Sequence, residues 1–252
     1  MIGPLAGWWL VKGNMTSSLT LGVIPLTEPF VVLQMLSAGV LSEFKQALIG
    51  ALIVVVFYLL VGGRVYCSWV CPINIIADTA RWLRQKLGIK SNMTFNRQTR
   101  YWLLVAIMIL AAVTGTLAYE FINPVTLLHR SIVYGLSAAV FIALTLFLFD
   151  LLISSRGWCG HLCPMGALYS LIGYFSPLNI TATNRQDCQK GCNECFKVCP
   201  EPQVITAPLR MGEKGVSPTI QSSNCTNCAR CIDVCPTQVF EFKISLSKKP
   251  PR

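Results

Sequence analysis

Uncharged apolar runs alternate with shorter polar stretches along this chain, and their lengths set the first expectations. Residues 46–63 carry no charge between Lys45 and Arg64. Residues 101–119 carry none between Arg100 and Glu120, and residues 131–149 none between Arg130 and Asp150, the apolar character continuing to Ile153. Crossing ~30 Å of hydrocarbon takes ~20 apolar helical residues, so each run is long enough with some tilt. Spanning helices are expected near 46–66, 101–119 and 131–153. Residues 19–42 are also apolar but hold Pro25, Glu28 and Pro29. The prolines interrupt helical hydrogen bonding, and a carboxylate at the bilayer centre is costly. A segment lying at the outer face is expected there, with a kinked span carrying Glu28 against protein as the alternative. Residues 1–11, with Trp8 and Trp9, are too few to cross and read as the second half of a helix. No basic n-region and cleavage site marks a signal peptide.

The polar stretches orient the runs. Residues 64–100 hold Arg64, Arg81, Arg84, Lys86, Lys90, Arg97 and Arg100 against a single acid, Asp78, whereas residues 119–130 hold one basic residue, Arg130. The basic loop is therefore expected in the cytoplasm and the short one in the periplasm. The third run then returns the chain to the cytoplasmic side of a bacterial inner membrane. Composition agrees: 53% of residues are hydrophobic and 13% charged, with mean hydropathy +0.55, against about 25% charged in ordinary soluble domains. The net charge of +10 does not point to nucleic acid, because the basic residues gather at the ends of apolar runs.

Twelve cysteines fall in short motifs with one another. Cys188, Cys192, Cys195 and Cys199 precede Pro200; Cys225, Cys228, Cys231 and Cys235 precede Pro236. The second run has the C-x2-C-x2-C-x3-C-P spacing of bacterial two-cluster ferredoxins, whose fourth cysteine ligates the other cluster. One [4Fe-4S] site is therefore assigned to Cys188, Cys192, Cys195 and Cys235, and the other to Cys225, Cys228, Cys231 and Cys199. A zinc site would more often use two separated C-x2-C pairs, and disulfides would need an oxidising compartment. The first run departs from the pattern by one residue, C-x3-C between Cys188 and Cys192, which bears on the nuclearity or potential of that cluster. The expected fold is mixed: an α-helical polytopic membrane domain (1–175), then a small α+β two-cluster ferredoxin domain (176–245) and a disordered tail (246–252).

The remaining four cysteines form a duplicated motif. Cys67-Ser-Trp-Val-Cys71-Pro72 follows the first run and Cys159-Gly-His-Leu-Cys163-Pro164 the third. If helical, each pair sits at i and i+4 on one face. A metal or redox site is expected, with Cys67, Cys71, Cys159 and Cys163 acting together; buried apolar cysteines that only pack are the alternative. Trp69 and Trp158 suit an interfacial depth. His161, inside the second motif, is a candidate for proton handling or for a role beside the thiols; a surface histidine is the alternative. His129 falls on the other side, so the two histidines make no haem pair.

The motifs at 67–72 and 158–164, Asn123-Pro124 after the second run and the double cysteine run together resemble the NapH family, membrane ferredoxin-type proteins of periplasmic nitrate reductase systems. NosR-like and MauN-like proteins form part of the wider group. The resemblance implies a quinol dehydrogenase component with two [4Fe-4S] clusters, a periplasmic iron–sulfur partner (NapG-like) and a molybdenum nitrate reductase as electron recipient. The alternatives are an assembly or maturation factor, or a docking anchor, for a partner metalloenzyme. Cytoplasmic clusters and periplasmic nitrate reduction would stand on opposite sides of the bilayer, too far for one electron hop.

Overall fold

The structure is a computed structural model that describes residues 11–13, 17–20, 24–40, 44–89, 95–134, 136–189, 191–212 and 215–245. The expectations for the N-terminal half-helix, apart from residue 11, and for the tail at 246–252 lie outside the described residues. Two compact units form: Met1–Phe57 with Pro72–Ala167, and Tyr58–Cys71 with Leu168–Arg252. The second unit takes in the first C-x3-C-P pair as well as the C-terminal stretch.

In the first unit, β1 (Val11–Gly13), β2 (Ser17–Thr20) and β3 (Ile24–Thr27) form an antiparallel sheet in that order. Pro25 lies in β3 opposite Leu19. It is tolerated because β3 is an edge strand, where a missing N–H breaks no second ladder. Pro29 occupies the first turn of α1 (Pro29–Ala38), where its missing donor costs nothing. Residues 24–38 are thus a strand and a ten-residue helix, not a kinked span. The helix α1 packs against α4 (Thr99–Thr114).

One described helix, α2 (Phe44–Val61), is long and apolar enough to cross a membrane. Its mean hydropathy is 2.3, and only 17% of it is buried, unlike the core helix of a soluble unit. The other expected spans are shorter. Gly115 ends α4 in a left-handed conformation (φ 62°), its N–H bonded to Ala111 O, so the second run stops five residues before Glu120. Ala118–Phe121 then forms a 3-10 turn. The third run begins early, with α5 (Pro124–Tyr134) followed by α6 (Leu136–Leu148) and a π-helical turn at Phe149–Ile153. Proline at the start of α5 sets that boundary.

The amphipathic helix α3 (Ile73–Lys86) packs on α6 and on the Phe149–Ile153 turn. Arg84, 5% exposed, donates to the carbonyls of Asp150 (3.3 Å) and Leu151 (2.8 Å). Arg64 and Arg100 are buried as well. Among the described residues, three of the basic residues that the sequence assigns to an orienting charge cluster are therefore inside the protein.

In the second unit, β4 (Leu178–Ala182) pairs antiparallel with β5 (Phe240–Ile244), Leu178 opposite Ile244 and Ala182 opposite Phe240. The other edge of β4 is covered by residues 218–220: Ile220 N donates to Ile180 O and Ala182 N to Pro218 O. Between the strands lie α8 (Glu194–Val198), α9 (Gln203–Arg210) and α10 (Arg230–Asp233). Ile180, Val204, Ile205, Ile220, Val239 and Phe240 form a core shared with the cysteines.

The end of α2 meets α7 (Pro164–Tyr174) through glycines. A Cβ at Gly63 would stand 1.8 Å from Tyr169 O and 2.3 Å from Gly173 N. Tyr66 stacks on Tyr169 beside it, ring centroids 4.8 Å apart. Backbone atoms cannot yield as side chains do, so Gly63→Ala should lower stability by more than the usual overpacking range of about 1–3 kcal/mol. Thermal unfolding of the purified variant checks this; an unchanged midpoint would show that the two segments separate freely.

Candidate iron–sulfur sites and thiol turns

Each run of four cysteines begins in an irregular loop, enters a short helix and ends before proline. Cys195 lies in α8 and Cys231 in α10; Cys199 and Cys235 follow those helices. Cys199 has extended backbone, as residues before proline prefer. The chain then leads the fourth thiol of each run away from the first three. One cavity is lined by Cys188, Cys192, Cys195 and Cys235 with Leu209, Val234, Val239 and Phe240. A second is lined by Cys199, Cys225, Cys228 and Cys231 with Ile180, Val204, Ile205 and Ile220. The geometry thus brings together the two crossed sets read from the spacing. The extra residue of the first run is absorbed where Gly191 adopts φ 90°, a conformation glycine reaches without a steric penalty.

The donor sets fit iron–sulfur cubes. Zinc holds four sulfurs at ≈ 2.3 Å, so all must close on one point. Among the described residues no three His, Cys, Asp or Glu side chains close on a single ion. The thiols instead ring apolar space. Without metal, such crowding opposes ionisation. Burial, reinforced by Cys228 and Cys199, pushes the Cys225 thiol up to about 12 despite a hydrogen bond from Asn227 N–H. Burial and the Cys225, Cys228 and Cys199 thiols also raise Cys231. In the first cavity burial raises Cys188 and Cys195. Burial would raise Cys235 too, but hydrogen bonds from Val239 N–H and the Thr237 hydroxyl outweigh it and lower that thiol. Hydrogen bonds of this kind to cluster sulfurs tune potential, so the two cavities offer different environments.

The C-x3-C-P motifs form matching π-helical turns, Tyr66–Val70 and Trp158–Leu162. Cys71 N donates to Tyr66 O at 3.0 Å and Cys163 N to Trp158 O at 2.9 Å, and both cysteines are extended before their prolines. Such turns are rare and concentrate at functional sites. The pairs belong to different compact units. In the first unit, Tyr119 Oη lies 4.0 Å from Cys163 Sγ. Two segments assigned from sequence to opposite membrane faces therefore meet, through a loop that dips inward between α4 and α5. His161, half-buried, has its ring 6.4 Å from that of Phe95.

Each thiol turn has a buried arginine three residues before its first cysteine. Arg64-Val-Tyr-Cys67 and Arg156-Gly-Trp-Cys159 share the spacing, a repeat legible in sequence, although the count of loop charges takes in Arg64 and not Arg156. Arg156 pairs with Asp78 and donates to Asn74 Oδ1 at 3.2 Å. Arg64, 3% exposed, reaches Glu201 Oε1 at 3.3 Å and Asn224 O at 2.8 Å, and bonds the Cys67 sulfur. Glu201 follows Cys199-Pro200, and Asn224 precedes Cys225. Ser68 Oγ donates to Thr226 O at 3.0 Å, and Asn227 Nδ2 to Val61 O (3.2 Å) and Leu178 O (3.0 Å). The loop that carries the second cavity's thiols is thus fastened to the segment bearing Cys67 and Cys71.

Two four-thiol cavities on an α+β module define a ferredoxin-type iron–sulfur electron-transfer protein with [4Fe-4S] clusters. Sequence families agree: the 4Fe-4S dicluster domain matches residues 187–239. The 4Fe-4S binding domain matches twice, at 46–90 and 136–181, one match around each thiol turn. The methylamine utilization ferredoxin-type protein MauN of Methylorubrum extorquens is 49% identical over 96% of this chain and 83% of its own length. The ferredoxin-type protein NapH of Escherichia coli is 47% identical over 94% of this chain and 82% of its own length. NapH of Haemophilus influenzae is 46% identical over 95% and 83%. The chain belongs to this NapH and MauN family of ferredoxin-type proteins. No solved structure matches it.

Proposed function

We propose that the protein is a membrane-bound electron-transfer subunit that takes electrons from quinol and passes them toward a periplasmic nitrate reductase through an iron–sulfur partner. The observation that carries this reading is the fastening of the Cys225–Cys231 loop, through Arg64, Ser68 and Asn227, to the turn at the end of the apolar helix α2. That arrangement joins a cluster loop directly to thiols at a membrane boundary. In this reading Cys188, Cys192, Cys195 and Cys235 hold one cluster, and Cys225, Cys228, Cys231 and Cys199 the other. A bound [4Fe-4S] cluster accepts and releases one electron at a time. Arg64 holds the second cavity's loop against the turn, and the apolar residues exclude water from both cavities.

The lipid-facing part is supported by the exposed apolar side chains of α2, including Leu48, Ile49, Leu52, Val56 and Phe57. Trp102, Ile109 and Val113 on α4, and Phe141 and Leu144 on α6, are exposed as well. Surface of this kind is costly in water and free in hydrocarbon. Relatives named as methylamine utilization proteins and relatives named NapH match equally well. That parity favours one second reading: a shared chassis that serves assembly or docking of different partner metalloenzymes. Anaerobic mixing with 2,3-dimethyl-1,4-naphthoquinol separates the two. The electron-transfer reading expects quinol to bleach the cluster absorbance; bleaching by dithionite but not by the quinol would leave the assembly role.

A further inference from the structure

In the first unit, polar side chains of α1 and of the loop after α4 are buried together around unfilled hydrogen-bonding capacity. Glu28 is 7% exposed, Gln34 0%, Asn123 0%, Tyr119 1% and Thr126 3%. Gln34 Oε1 accepts from Tyr119 N (3.0 Å), Asn123 Oδ1 from Val125 N (3.1 Å), and Glu120 Oε2 from the Thr126 hydroxyl (2.9 Å). Those bonds fix the groups and leave their other ends open. Glu28 Oε1, Gln34 Nε2, Glu120 Oε1 and Asn123 Nδ2 are buried with no hydrogen-bond partner among the described residues. Buried polar atoms are nearly always paired, and leaving one unpaired costs about 1–3 kcal/mol. Four such atoms, on segments that the Gln34–Tyr119 bond holds together, suit an occupant that offers both donors and acceptors.

The chemistry is complementary to a hydroquinone. Two amide N–H groups suit quinone carbonyls, and two carboxylate oxygens suit quinol hydroxyls. The Tyr119 ring stands edge-on to Phe30, centroids 5.0 Å apart, which gives a planar head group an aromatic wall. The same tyrosine's hydroxyl is the group 4.0 Å from Cys163 Sγ, so the cluster adjoins a thiol turn. Burial, and secondly the facing Glu120, push Glu28 up to about 8, near the pH at which a proton-transfer group works best.

Resting on the quinol reading above, we propose that Glu28, Gln34, Glu120 and Asn123 form the quinol head-group site, the amides holding the oxygens and the carboxylates carrying away the protons. Oxidation of one hydroquinone breaks two O–H bonds and releases two electrons and two protons. The oxidants are the chain's two iron–sulfur clusters, one electron each. The protons leave one after another through the Glu28–Glu120 pair to water.

The full chain in detergent, with clusters intact, is titrated with 2,3-dimethyl-1,4-naphthoquinone by tryptophan fluorescence and, separately, mixed with the corresponding quinol. Gln34→Leu and Asn123→Leu are expected to weaken quinone binding at least tenfold, with Asn123→Ser carrying the same test should the leucine variant not fold. Glu28→Gln, which keeps the shape, is expected to bind within twofold of the parent yet to slow quinol-driven bleaching at least tenfold, with dithionite reduction unchanged. A parent bleached by the quinol while every variant binds and bleaches like it overturns this site and leaves the quinol reading standing. A parent that dithionite bleaches and the quinol does not overturns both.

Discussion

Arg64→Met is expected to destabilise the ferredoxin-bearing unit by about 3–5 kcal/mol, the cost of removing one partner from a buried ion pair. Arg64 and Glu201 are 3% and 5% exposed. Without the guanidinium, Glu201 keeps a buried charge, Asn224 O loses its donor, and Cys67 loses a hydrogen bond. Against a typical stability of about 5–15 kcal/mol the loss is large. Methionine fills similar volume, so the effect reports charge and hydrogen bonding, not a cavity. Arg64→Lys should fall between, since an ammonium lacks the fork that reaches several acceptors at once. Adding Glu201→Leu to Arg64→Met should recover much of the loss. Denaturant unfolding followed with iron retention checks the series. An Arg64→Met midpoint equal to the parent's would show that the fastening between thiol turn and cluster loop carries no energy.

The second large effect is a crossed pattern of cluster loss. Cys228→Ser should remove about four iron atoms per chain, one [4Fe-4S] cluster. Cys199→Ser should remove the same cluster, although Cys199 belongs to the first run in sequence, because it lines the cavity of Cys225, Cys228 and Cys231. Cys235→Ser should behave like Cys195→Ser for the same reason. EPR of the dithionite-reduced variants tells the pairs apart. If Cys199→Ser and Cys195→Ser abolish one common signal, each run holds its own cluster and the crossed assignment fails. The core shared by both cysteine sets sets the condition that each variant must first fold.

The cysteine sets were readable because ligand spacing is local chemistry: three thiols within seven or eight residues can only turn round one corner. The helix ends were less readable. Gly115 carries the signal for a left-handed stop, but the apolar run continues past it to Tyr119, and hydropathy ignores backbone conformation. The sheet β1–β3 escaped because its strands are short and its proline resembles a helix breaker. Arg64 and Arg156 stand as a repeat before each thiol turn, yet the count of loop charges takes in only Arg64, and such a count treats buried and solvated arginines alike. The meeting of Gln34 with Tyr119, or of Tyr119 with Cys163, joins residues far apart in sequence and follows only from packing.

Iron and sulfide quantitation on the anaerobically purified full chain, with EPR during dithionite reduction, tests most directly whether this is a two-cluster ferredoxin-type protein. About eight iron atoms per chain and signals from two [4Fe-4S] clusters are expected in the ferredoxin module. Zinc in place of iron, with no EPR signal on reduction, would contradict it.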